Sequence, residues 1–124
     1  MANLNNISIK LLDRDIASIV IGEPKTYDAL SFNNLEDLIK AFKKLDDDKN
    51  IKVIIIEGSG KGFSAGHNLK EVNRLKKKAK YQKLFNLCSK LMLQIVGGKK
   101  PVIAKVHGAA FAAGCQLVAS CDLA

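Results

Sequence analysis

Two short segments rich in glycine and alanine carry the residue types through which a main chain can act on a ligand. The first, Gly62-Phe63-Ser64-Ala65-Gly66-His67-Asn68-Leu69, follows the apolar run Val53 to Glu57. The second, Gly108-Ala109-Ala110-Phe111-Ala112-Ala113-Gly114-Cys115-Gln116, follows Val102 to Val106. A strand, a glycine loop and a helix start, in that order, leave backbone N–H groups and the positive end of a helix dipole facing whatever lies in front of them. Two such N–H groups aimed at one oxygen stabilise a charge developing there, each contributing about 3 kcal/mol in a transition state. Small side chains leave room for a ligand, and they equally allow tight packing of helix on strand. Neither segment contains GxGxxG or GxxxxGK[ST], so dinucleotide and P-loop chemistry have no motif behind them.

Few side chains near these segments can move a proton. His67 sits on the first loop with a suitable ordinary pKa, but loop packing is its simpler role. His107 reads as a core or turn residue, Glu57 lies upstream of the loop on its strand, and Glu71 reads as a solvated helix residue. No His, Cys, Asp and Glu grouping has metal-ligand spacing. Cys88, Cys115 and Cys121 form no CxxC pair and read as small buried hydrophobes in a reducing compartment.

The elements that position the loops follow from apolar periodicity. Ile7 to Leu12 and Ile16 to Ile21 predict a β-hairpin turning at Asp13-Arg14-Asp15, with Pro24 ending the second strand. Leu35, Leu38, Ile39, Phe42 and Leu45 predict a helix capped by Asn33 or Asn34 and stopped by the cluster from Asp46 to Asn50. Lys52 to Glu57 predicts a strand covered on both faces. A short helix capped by Asn68 and a longer one over Tyr81 to Val96 follow, the latter ended by Gly97-Gly98. Pro101 to Val106 predicts a further strand, the Gly108-Ala109-Ala110 step leads into a small-residue helix through Leu117, and Cys121 to Ala124 begins another strand. Alternation of this kind predicts an α/β domain with parallel pairing.

The chain has 124 residues, 48% apolar and 26% charged, which fits one globular domain able to bury roughly two thirds of its unfolded surface. Its net charge of +8 is concentrated: residues 61 to 105 hold twelve of the twenty Lys and Arg and a single acid, Glu71. Such a block attracts a polyanion or forms a solvated helix face. With one Arg in the block and no Trp in the chain, nucleic acid is not the expected partner. The longest uncharged run, Val106 to Cys121, is too short and too polar to span a bilayer. No membrane partner is expected, and the lack of a secretory pattern makes the cytoplasm the default location.

Four ordered motifs resemble a known family. Pro24-Lys25-Thr26-Tyr27-Asp28-Ala29-Leu30 is similar to P-K-x-x-N-A-L, and Phe63-Ser64-Ala65-Gly66-His67-Asn68-Leu69-Lys70-Glu71 to F-x-A-G-x-D-[IL]-K-E. Lys100-Pro101-Val102-Ile103-Ala104 is similar to K-P-V-I-A, and Ala112 to Leu117 with Cys121-Asp122 to G-G-G-C-E-L followed by C-D. Together they resemble the crotonase, or enoyl-CoA hydratase/isomerase, superfamily. The resemblance implies a crotonase-like fold of repeated β-β-α units over residues 1–124 as a single partial domain, truncated after the second oxyanion-hole helix. It implies an acyl-CoA thioester as ligand, with coenzyme A part of the substrate and no separate cofactor. The amides of His67 and Ala113 match the family's carbonyl-polarising donors; Lys25, Ala65, Gly66, Asn68, Leu69 and Lys70 match positions at the coenzyme A pocket. A homo-oligomer is implied for the full domain.

Departures from the family pattern qualify the expectation. Gln116 stands where the family's hydratases have a proton-moving glutamate, and an amide does not titrate; it is expected to orient a water or to pack as a polar helix residue. Asp28 and Asn68 replace Asn and Asp with near-isosteric side chains that keep turn hydrogen bonds. Family members are also longer, so the chain is expected to correspond to the front of such a domain. The alternative expectation is a catalytically inactive subunit or interaction module on the same fold.

Overall fold

A computed structural model describes residues 3–124. Its single sheet has five strands in sequence order: β1 (Asn3–Leu4), β2 (Ile7–Asp13), β3 (Ile16–Ile21), β4 (Val53–Gly58) and β5 (Val102–Lys105). The first two pairings are antiparallel; β3 with β4 and β4 with β5 are parallel. The helices are α1 (Phe32–Asp47), α2 (Leu69–Arg74), α3 (Lys78–Gly97) and α4 (Ala113–Ser120), with one 3-10 turn at Pro24–Thr26. The parallel pairs need crossovers, and α1 and the α2–α3 pair supply them.

Alternation along the strands sends one set of side chains to the helices. Ile7 and Ile9 of β2, Ala17, Ile19 and Ile21 of β3, Ile54 and Ile56 of β4, and Val102 and Ala104 of β5 are all buried in one core. Leu35, Leu38, Phe42 and Leu45 close it from α1, Leu84, Leu91 and Ile95 from α3, and Leu117 from α4. The expectation that β4 is covered on both faces needs correction. Ile54, Ile56 and Gly58 are buried, whereas Val53, Ile55 and Glu57 are only partly so, because the helices pack on one side of the sheet. On the other side Ser18 Oγ donates to Glu57 Oε2 (2.6 Å), and Lys10 Nζ lies 3.8 Å from Glu57 Oε1.

Other boundaries shift for local reasons. β2 runs on to Asp13, which pairs with Ile16, leaving only Arg14 and Asp15 in the turn. Ser31, not Asn33 or Asn34, caps α1, its Oγ accepting from Asn34 N–H (3.1 Å). The Asn34 amide turns inward and donates to Glu23 Oε2 (2.8 Å) and the Ala29 carbonyl (2.7 Å). Lys100 donates to the carbonyls of Leu45 and Asp48, placing a cation at the C-terminus of α1 and removing it from the free lysine block. The last residues do approach β5 as a strand: Leu123 bridges Ile103 in parallel, and its carbonyl accepts from Ala104 N–H (2.8 Å). The three cysteines are not all buried. Cys88 is buried and Cys121 partly so, but Cys115 is exposed on the outer face of α4. Burial raises both sheltered thiols, and with Asp122 beside it Cys121 is pushed up to about 11.

Candidate functional site

The two glycine-alanine segments meet. Phe63 N–H (2.9 Å) and Ser64 N–H (3.3 Å) donate to the Ala109 carbonyl, and Phe111 N–H donates to the Ser64 carbonyl (3.0 Å), forming a parallel bridge of Ser64 with Ala110. This extended pairing uses the backbone of residues 109–111. The helix expected after the Gly108-Ala109-Ala110 step therefore starts at Ala113, and it runs beyond Leu117 to Ser120. Gly114 is needed at the contact, since a Cβ there would lie 2.5 Å from the Ser64 carbonyl oxygen.

The peptides on either side of the contact have fixed orientations. Gly66 has φ +87°, and its carbonyl accepts from Leu30 N–H at 2.7 Å. Across a trans peptide the next N–H points the opposite way, so the His67 N–H faces away from Leu30. Likewise the Ala112 carbonyl accepts from Gln116 N–H (3.0 Å) and points into α4, which turns the Ala113 N–H out of the helix end. As the first residue of α4, Ala113 has no acceptor within the helix. Among the described residues no loop carbonyl accepts from it or from the His67 N–H. The two peptides are neighbours: a Cβ on Gly66 would lie 3.1 Å from the Ala113 nitrogen and 3.0 Å from the Phe111 carbonyl oxygen.

Backbone strain produces this arrangement. Ala112 has φ 50° and ψ −119°, a region otherwise left to glycine. An alanine at that φ ordinarily takes ψ near +47°; the observed value turns the 112–113 peptide over and aims its N–H outward. Tyr27 and Asp28 are also left-handed, each at φ 54°. The buried Asp28 carboxylate holds them there by accepting from Glu23 N–H (2.8 Å) and Gly60 N–H (3.1 Å). The same segment clamps the first loop: Ala65 N–H donates to the Tyr27 carbonyl (2.9 Å) and Ser64 Oγ to the Asp28 carbonyl (2.8 Å).

Two cavities open beside the paired loops. One, of about 270 Å³, is bordered by Lys25, Ala65, His67, Asn68, Leu69 and Lys70, six of the positions singled out in the sequence. The other, of about 290 Å³ and almost entirely apolar, lies against Gly62, Ser64, Ala109 and Phe111, with Lys61 at its border. Tyr27 and Ala65 belong to both. Gln116 borders neither; it lies exposed, one turn along α4 from Ala113. Asn68 caps α2, its Oδ1 accepting from Lys70 N–H (3.0 Å) and Glu71 N–H (3.2 Å). Glu71 is not a solvated helix residue: its Oε1 accepts from Phe32 N–H (3.0 Å) and ties α2 to the start of α1. The His67 ring donates from Nδ1 to the Leu30 carbonyl (3.3 Å) and meets Phe85 edge-on at 5.5 Å. His107 is exposed in the turn after β5, bonded to the Gly60 carbonyl. Among the described residues no group of three or more His, Cys, Asp or Glu is placed to hold a metal ion. No helix among them is long and apolar enough to cross a membrane.

Residues 12–124 match the family model described as Enoyl-CoA hydratase/isomerase. The chain belongs to this family. It is 42% identical over 125 residues to enoyl-CoA hydratase domain-containing protein 3, mitochondrial, of Xenopus laevis, covering 99% of this chain and 42% of that protein. It is 45% identical over 109 residues to the Homo sapiens protein of the same name, covering 88% and 36%. A crystal structure of enoyl-CoA hydratase from Mycobacterium smegmatis superposes with TM-score 0.91 at 41% identity, and that of human enoyl Coenzyme A hydratase domain-containing protein 3 with TM-score 0.89 at 42% identity. Each covers 95% of this chain and 46% of the other. The α/β architecture is thus that of the family, and the chain spans less than half the length of these relatives.

The principal site residue that sequence reasoning passed over is Tyr27. It lies inside the first motif, but its place between the cavities depends on left-handed backbone held by Gly60, far away in sequence. Two adjacent non-glycine residues at positive φ carry no composition signal.

Proposed function

We propose that the chain binds an acyl-CoA thioester with its carbonyl oxygen between the N–H groups of His67 and Ala113, as the oxyanion hole of an enoyl-CoA hydratase/isomerase-like protein of fatty acyl-CoA metabolism. The supporting observation is the paired orientation of the two peptides, each with its carbonyl drawn back into a hydrogen bond, to Leu30 and to Gln116 respectively, and its following N–H left outward. As negative charge moves onto a thioester oxygen toward the enolate, two fixed donors stabilise it without reorganising. Lys25 and Lys70 supply positive charge for the phosphates of coenzyme A, and Ala65, Gly66, Asn68 and Leu69 give its thinner portion a wall of main chain and small groups.

Proton transfer has weaker support. Gln116 moves no proton, and losing a positioned acid or base removes about 10² to 10⁴ in rate. The exposed Gln116 amide favours a second reading, a catalytically inactive crotonase-like subunit or interaction module that keeps the ligand cradle. Crotonyl-CoA calorimetry and hydration assays on this chain and on Gln116→Glu separate the two. Saturable binding with turnover gained in the variant supports an intact site lacking its proton carrier, while saturable binding with no turnover in either favours the inactive subunit. A folded chain that binds neither crotonyl-CoA nor coenzyme A refutes the proposal. A cytoplasmic location has no positive feature behind it, and the mitochondrial names of the relatives point elsewhere; fractionation of the tagged protein decides between them.

A further inference from the structure

We propose that Tyr27 is a stacking platform for the nucleobase of the bound thioester, and so sets the preference for a nucleotide-bearing ligand over a truncated one; this rests on the acyl-CoA reading above. Tyr27 is the aromatic residue common to both cavities. Phe111 borders only the apolar one. Tyr27 is 59% exposed and outside the hydrophobic core, so core packing does not explain it.

Its backbone is nevertheless fixed on both sides. Its N–H donates to the Pro24 carbonyl (3.1 Å), and its own carbonyl accepts from Ala65 N–H (2.9 Å). An exposed ring on a pinned backbone has only two side-chain torsions to immobilise, which suits a contact surface. The base of a nucleotide ligand is tethered through a sugar to phosphates, so a base-stacking ring belongs next to cations. Lys25 and Lys70 border the cavity that Tyr27 also borders. Stacking on an aromatic ring tolerates any base, and its removal weakens binding by roughly 5- to 100-fold.

The test uses calorimetry with crotonyl-CoA and with crotonyl-pantetheine, which lacks the nucleotide. Leu or Phe at position 27 carries the same backbone strain as Tyr, so Tyr27→Leu and Tyr27→Phe are comparable in folding. The ratio of crotonyl-CoA to crotonyl-pantetheine affinity is expected to fall by roughly 5- to 100-fold in Tyr27→Leu and to return in Tyr27→Phe. The chain has two Tyr and no Trp. In a Tyr81→Phe background, fluorescence therefore reports Tyr27 alone, and crotonyl-CoA is expected to quench it where crotonyl-pantetheine does not. An unchanged ratio, or equal quenching by both, overturns the stacking role while leaving the oxyanion-hole proposal standing. Absence of binding by either thioester to the folded, unsubstituted chain overturns both.

Discussion

Replacing Ala112 by glycine should make the protein more stable, unlike a glycine placed inside a helix. Ala112 is held at φ 50° and ψ −119°, where a Cβ is crowded, and strain of this kind costs about 1–3 kcal/mol. Glycine removes that strain but adds freedom to the unfolded chain, which offsets about 0.4–1 kcal/mol. The expected net gain is about 0.5–2 kcal/mol, or a rise in Tm of about 2–10 °C for a domain of this size. Urea denaturation measures it as a higher midpoint at unchanged slope. Ala119→Gly, at an exposed position within α4, is the control and should lose about 1 kcal/mol. If Ala112→Gly instead loses stability like the control, Ala112 is not strained, and the derived direction of the Ala113 N–H is wrong.

Three further outcomes follow from the geometry. Lys25→Gln and Lys70→Gln should each weaken coenzyme A binding about two- to fivefold at low salt, because both lysines are exposed, and the difference should shrink at 0.5 M salt; an undiminished loss in salt would argue against a charge effect. At pH 8 a maleimide should label one thiol per native chain, Cys115, since with its pKa near 11 Cys121 is about one part in a thousand thiolate and Cys88 is buried. Labelling of Cys121 should rise about tenfold per pH unit up to its pKa, followed by mass spectrometry; rapid modification of all three at pH 8 would contradict the burial. Lys100→Met should lower stability by about 1–3 kcal/mol through loss of its bonds to the Leu45 and Asp48 carbonyls, and an unchanged urea midpoint would refute that role.

The sequence revealed the parts whose cause is local. Strands and helices came through because apolar period and caps act over a few residues, as with Asn68 before α2 and the β-branched runs of β3 and β4. The two site loops stood out because close backbone contact, as at Gly66 and Gly114, requires residues without bulk. The parts that depend on distant partners were hidden. Asn34 looks like a cap but is drawn inward by Glu23, and Glu71 looks solvated but reaches the start of α1. Tyr27 owes its place to Asp28 and Gly60, and Ala112 adopts a glycine conformation under an alanine name. The open side of β4 was also illegible, since Val53 to Ile56 reads as apolar whichever side the helices cover.

The central claim is that two main-chain amides act together on one carbonyl oxygen, and nuclear magnetic resonance of the ¹⁵N-labelled chain tests it directly. On titration with crotonyl-CoA, the His67 and Ala113 amide protons should move downfield together, saturate at the same concentration, and exceed the shifts of their neighbours. Saturable binding that leaves either of these two amides unmoved would contradict the account.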